Sequence, residues 1–134
     1  MEQGKKETND LKTMIADYME GGYLDNIIDM FKHDPSLYVF VGELLTDERM
    51  RVRIGTAALI ETLKSEDPVN VKKAINSLIP LLENESPVVR GDVAYVLGII
   101  GDKDTMHLLE KLKEDEDENV KTIAQESIDE IKKI

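Results

Sequence analysis

Apolar residues recur along this chain at spacings of three and four, the period of an α-helix. Leu11, Met14, Ile15, Tyr18 and Met19 form one stripe, closed by Gly21-Gly22. Leu24, Ile27, Ile28 and Phe31 form a second. Asp34-Pro35 then reads as an N-cap and first helical position, since proline lacks only a donor that would be orphaned there. Leu37, Phe40, Val41, Leu44 and Leu45 follow it, and Thr46 or Asp47 is placed to cap the next helix, with Val52, Thr56, Leu59, Ile60 and Leu63. Asp67-Pro68 repeats the device before Val71, Ala74, Ile75, Leu78, Ile79 and Leu82. Pro80 falls late in that helix and predicts a kink or a frayed last turn. Ser86-Pro87 opens a sixth helix that Gly101 ends as a left-handed cap. Asp104 starts a short seventh through Leu109 and Leu112. The eighth runs from about Asp117 to Lys133 with Val120, Ala124, Ile128 and Ile131. The one dense run of β-formers, Leu37 to Val41, fits a helical face equally well. Short linkers make consecutive helices antiparallel neighbours.

A second, longer period lies over the first. Residues 47–60, 84–102 and 115–128 superimpose when Val52-Arg53, Val89-Arg90 and Val120-Lys121 are aligned, at spacings of 37 and 31 residues. Each segment follows a helix ending in paired or near-paired leucines: Leu44-Leu45, Leu81-Leu82, and Leu109 with Leu112. Helix-turn-helix units repeating at this length mean a solenoid, because one pair cannot bury its own apolar stripe and stacked pairs can.

At Val89-Arg90, Ala94, Leu97-Gly98 and Ile100-Gly101-Asp102 the chain resembles the HEAT-repeat family, in particular the short HEAT-like repeats of prokaryotic proteins. Repeat one departs from the pattern with Glu61 and Lys64 where repeat two has Gly98 and Gly101, and repeat three has Lys121 for arginine and Gln125 for alanine. The expected fold is all-α: an α-solenoid of about eight antiparallel helices, a single compact domain. Residues 1–7 are expected to be a flexible N-terminus and 8–33 a capping helix pair. Three repeats follow at about 34–66, 67–101 and 102–134. The resemblance implies a non-catalytic module that binds a partner protein or helix on the concave face. An accessory enzyme or small-ligand module, in the manner of the HEAT-like phycobilin lyases, is the alternative.

Composition narrows the chemistry. The chain of 134 residues has no cysteine, which excludes disulfides, thiolate zinc sites and a cysteine nucleophile. Its net charge of −11 is shared evenly, −5 over residues 1–66 and −6 over 67–134. That field repels phosphate backbones, so no nucleic acid is expected. It reads first as solubility and second as complementarity to a basic partner surface. The HEAT-like DNA glycosylases are basic and larger, which sets them aside. No apolar run approaches a membrane span, and the N-terminus lacks the apolar stretch of a secretory signal. A cytoplasmic protein, monomeric or weakly dimeric, is the expectation.

Few residues stand out as a site. His33 and His107 have no metal-ligand spacing, and the His-Glu pairs of the iron-binding HEAT hydroxylases are absent. The acidic run Glu114 to Glu118 mimics the start of a calcium loop through Asp115, Asp117 and Asn119, with Glu126 at the twelfth position. However, Val120 occupies the place that needs glycine. The helix there also carries Glu126 ~10 Å along the axis from Asn119. No metal and no cofactor are expected. Arg53, Arg90 and Lys121 fall at the same place in successive repeats. The resemblance implies a structural ladder there, with Asp47, Asp102 and Asp115 of the turns as partners.

The candidate binding face comes from the second helix of each repeat. If the three aligned valines point inward, Ile54 and Ala58 point outward, as do Gly91, Tyr95, Gly98 and Ile99, and then Thr122, Glu126 and Asp129. Tyr95 sits between two glycines, with Arg51 at one rim and Glu126 and Asp129 at the other. Two glycines inside one helix cost ~1 kcal/mol each against alanine, so close packing or a groove must offset them. Five of the six aromatic residues, Tyr18, Tyr23, Phe31, Tyr38 and Phe40, cluster near the N-terminus. They read as a packed cap, with a second interface as the other possibility.

Overall fold

The computed structural model describes residues 2–134, with side chains from Asn9 onward. Among the described residues there is no strand; eight α-helices alternate with short 3-10 turns. They are α1 (Glu2–Glu20), α2 (Leu24–His33), α3 (Val41–Leu45), α4 (Met50–Glu66), α5 (Ile75–Leu78), α6 (Pro87–Ile100), α7 (Met106–Leu112) and α8 (Glu118–Lys132). The first helix begins at Glu2, ahead of its apolar stripe, whereas the sequence reading starts it at residue 8.

The long helices α4, α6 and α8 pack side by side, and α1 and α2 both lie on α4 at one end. The shorter elements form the other layer. A single cluster of buried apolar side chains runs through the stack from Ile15 to Ile131. Val52 and Val120 are buried, and Val89 is half-buried against the same core. The apolar edges of the repeats therefore merge, which is what an amphipathic pair needs to become stable in water.

The first-layer helices depart from expectation. Residues 35–45, read as one helix, are a 3-10 segment over Pro35–Phe40 followed by α3. A 3-10 helix brings side chains three apart into line, and Leu37, Tyr38 and Phe40 of this segment are buried, as is Val41 after it. The stretch after Asp67 is likewise split, into 3-10 (Asn70–Ala74), α5 and 3-10 (Ile79–Glu83). Pro80 explains the second change: without an N–H it cannot continue the α ladder, and the tighter turn begins beside it.

The caps divide in the same way. Asp34 accepts from the Ser36 N–H, Ser86 from Val89, and Asp117 from Asn119 and Val120, as N-caps do. Gly101 ends α6 with φ +73°, a left-handed cap. Neither Thr46 nor Asp47 caps α4. The Thr46 hydroxyl donates back to the Glu43 carbonyl, and the Asp47 carboxylate is held by the Arg49 backbone and guanidinium at 2.9 and 3.0 Å. Arg49 reaches on to Asp17 at 2.9 Å, so Asp47 belongs to a link between α1 and α4. Asp67 also serves across the stack. It accepts the buried Tyr38 hydroxyl at 2.9 Å and the Asn70 amide at 3.1 Å.

Of the aromatic cluster, Phe31, Tyr38 and Phe40 are core, with Phe31 and Tyr38 packed edge to face at 5.1 Å. Tyr18 and Tyr23 are an exposed pair, 5.7 Å between ring centres.

Candidate functional site

The expected ladder is one complete rung. Arg90 is buried and forms a two-pronged pair with Asp115, at 2.9 and 3.0 Å, while its Nη1 donates to the Asn84 and Glu85 carbonyls. The guanidinium beside it holds the Asp115 carboxyl below its usual 3.8. Arg53 repeats only the backbone half, donating Nη1 to the Asp47 and Glu48 carbonyls. Asn84 stands in the next turn where Asp115 stands for Arg90, and it has no charge to offer. Among the described residues Asp102 forms no ion pair; its carboxylate accepts the Asp104 N–H. Lys121 pairs with Glu118, one turn earlier on its own helix, and forms no ion pair with Asp115 among the described residues. The ladder is thus a hinge pin between repeats two and three. Asp115 and Asp117, the carboxylates that suggested a calcium loop, are committed to Arg90 and to the α8 N-cap.

The outward face of α4, α6 and α8 is built by helix spacing. Met50, Ile54, Ala57 and Glu61 follow one another down α4, and Val88, Asp92, Tyr95 and Ile99 down α6, at steps of four, three and four. Between these stripes lies a groove of about 520 Å³ with Leu45, Ala57, Ala58 and Val96 among its lining residues. Met50, Ile54 and Val88 are more than 60% exposed along it, and Tyr95 is 47% exposed. The Tyr95 hydroxyl donates to Glu61 Oε1 at 2.8 Å, tying the two helices together at one end. That bond, with partial burial, holds the phenol protonated above its ordinary 10.0.

A second trough, about 630 Å³, runs between α6 and α8 past Gly98, Ile99, Glu126 and Glu130. A third of about 340 Å³ joins Gly91 to Thr122. Tyr95 borders both larger grooves. Of the residues singled out from sequence, Ile54, Ala58 and Tyr95 meet in the first groove, and Tyr95, Gly98, Ile99 and Glu126 in the second. Arg51 and Asp129 line none of the three. Arg51 leans toward the Glu20 carbonyl at the end of α1, and Asp129 accepts from Gln125 on its own helix. The 100° step had put Arg51 on the rim, but α1 and α2 cover that side of α4.

The glycines of α6 explain the unequal spacing. A Cβ on Gly98 would lie 2.7 Å from the Ser127 Cβ and Oγ and 3.0 Å from its Cα. The Ser127 hydroxyl donates to the Ala94 carbonyl at 2.8 Å, within that contact. The α6–α8 contact is the most extensive between any two elements. In the α4–α6 pair the same register holds Glu61 in place of Gly98 and Val96 in place of Ser127, so the backbones do not close and the groove remains. Both glycines act on the α8 side of α6: Gly98 packs against Ser127 and borders the second trough, Gly91 borders the third, and neither lines the α4–α6 groove.

Sequence reasoning missed Met50, Val88 and Asp92 and placed Arg53 in the ladder alone. Met50 and Val88 lie in first turns, one step before the outward stripe was picked up. Asp92 is half-buried in the groove wall. Burial pushes its carboxyl above 3.8, and the charge of Arg53 offsets only part of that push.

A family model for HEAT repeats matches residues 39–129. The chain belongs to the HEAT-repeat family. No curated protein matches its sequence. HEAT repeats generally mediate protein–protein interaction and are typically non-catalytic. The matched span covers the helices on both sides of the groove. No helix among the described residues is long and apolar enough to cross a membrane.

Proposed function

We propose that this HEAT-repeat chain is a non-catalytic interaction module and that a partner protein docks in the groove between α4 and α6. The observation that supports this is the convergence of Met50, Ile54, Val88 and Tyr95, all exposed, on one trough. Isolated exposed apolar residues are ordinary on a protein surface; four aligned along one groove mark a binding surface. Tyrosine and methionine are also enriched where proteins meet. Alanine and valine are among the lining residues and leave room for incoming side chains, with Arg53, Asp92 and Glu61 as the charged groups of the walls.

The test is a quantitative affinity capture from the source lysate with the wild type, Ile54→Arg, Tyr95→Arg and a control, Val69→Arg. Val69 is 80% exposed and lies in the turn before Asn70, away from the groove. The groove variants lose the captured proteins and the control keeps them. Equal capture by all four, with unchanged circular dichroism, removes the groove from consideration.

A further inference from the structure

We propose that the occupant of the α4–α6 groove is an amphipathic helix of a partner protein that carries a lysine or arginine beside its apolar stripe, the cation meeting Asp92 and Glu61. The inference rests on the docking reading above and adds the chemistry of the partner.

The trough sets the shape. From Met50 to Glu61 it follows twelve residues of α4, ~16 Å of axis. That length matches about three turns of a third helix. Both walls are themselves helical stripes, so the space between them repeats at the helical period and takes a ridge of side chains at i, i+3 or i+4, and i+7.

Charge selects the occupant. Two carboxylates stand among the apolar walls, Asp92 one turn before Tyr95 on α6 and Glu61 facing it on α4. Asp92 is half-buried in the groove wall, and Arg53 is the charge that acts on it among the described residues. Arg53, the one cation lining the trough, is already drawn to the Asp47 and Glu48 carbonyls. Burial has pushed the Asp92 carboxyl upward, and the charge of Arg53 offsets that push in part. Glu61 uses Oε1 for Tyr95 and leaves Oε2 open. A cation laid between them supplies what both lack. An acidic or phosphorylated segment would instead add charge to a molecule already at −11. The same charge opposes a second copy of this chain as the occupant.

The probe is a displayed library of single-helix peptides. Apolar residues are fixed at i, i+3, i+4 and i+7 and the flanking positions are randomised. It is selected against the full-length chain, and winners are synthesised and measured by fluorescence anisotropy. Lysine or arginine is expected to be enriched at one flanking position. Replacing it with norleucine weakens binding to the wild type about three- to tenfold, and the penalty shrinks toward none in Asp92→Asn or Glu61→Gln. Ile54→Arg binds no winner. Apolar winners with no basic preference, or a norleucine penalty unchanged in both carboxylate variants, overturn the charge assignment while the docking groove stands. Winners that bind Ile54→Arg as well as the wild type overturn both. A selection with no winners overturns the helical occupant. A dimer in sedimentation equilibrium that Ile54→Arg disperses assigns the groove to a second copy and overturns the proposal.

Discussion

Gly98→Ala pits two opposite effects against each other, and the sign of the result decides between them. Alanine is the better helix former by ~1 kcal/mol in a helix interior, so on local propensity the variant is more stable. Packing argues the other way. The added methyl would sit 2.7 Å from the Ser127 side chain and 3.0 Å from its Cα. A side chain alone can rotate aside, but the Ser127 Cα cannot move without α8 moving. Overpacking of a tight contact costs ~1–3 kcal/mol. Displacing the Ser127 hydroxyl from the Ala94 carbonyl adds ~1 kcal/mol. With the propensity gain subtracted, Gly98→Ala is destabilising by ~1–3 kcal/mol, read from urea-denaturation midpoints. Gly91→Ala is the internal control. There the methyl meets only the Ile123 Cδ1 at 3.1 Å, the end of a flexible side chain, and the propensity gain wins or breaks even. Gly98→Ala at or above wild-type stability would refute the claim that this glycine exists for the α6–α8 approach. A loss in Gly91→Ala equal to that in Gly98→Ala would refute the distinction between them.

The remaining predictions concern the polar pins of the stack. The Asp115 carboxyl is depressed by Arg90, so its stabilising contribution is present above the ordinary carboxylate range and is lost as pH falls through the depressed value. Asp115→Asn is therefore destabilised at neutral pH and shows a flatter loss of stability below about pH 4, measured by thermal melts across pH. Asp92 has the opposite sign: its raised carboxyl favours the folded state below the ordinary value and this advantage is lost as pH rises through the raised one. Asp92→Asn gains stability at neutral pH, and the gain vanishes in acid, on the same melts. Tyr38→Phe removes the buried hydroxyl that donates to Asp67 and lowers stability by ~1 kcal/mol in urea denaturation, with the fold intact because the ring still fills its place.

The architecture was legible in the chain because repetition and periodicity are local signals that agree with one another. Val52, Val89 and Val120 marked the inward face, and the proline-led starts of the first 3-10 segment and of α6, together with the Gly101 stop, marked boundaries that the backbone keeps. The outward positions Ile54, Ala58 and Tyr95 followed from the same 100° step. What escaped was whatever depends on a neighbour. Asp67 carries the chemistry of an N-cap, yet Tyr38 claims its oxygen from elsewhere in the stack, and Asp47 is held by Arg49 two residues on, whose guanidinium reaches Asp17 on α1. Arg51 faces outward on an isolated α4 and lies against the end of α1 in the folded protein.

The order of residues determined that the helices are amphipathic, that they come in stackable pairs, and which face of each looks to water. The tertiary structure alone decided how far apart the pairs stand. That distance is set by which side chain meets which between helices far apart in sequence: Gly98 against Ser127 lets α8 approach α6 closely, whereas the matching place on α4 holds Glu61. A single helix carries no information about the depth of the trough beside it, because depth belongs to the pair.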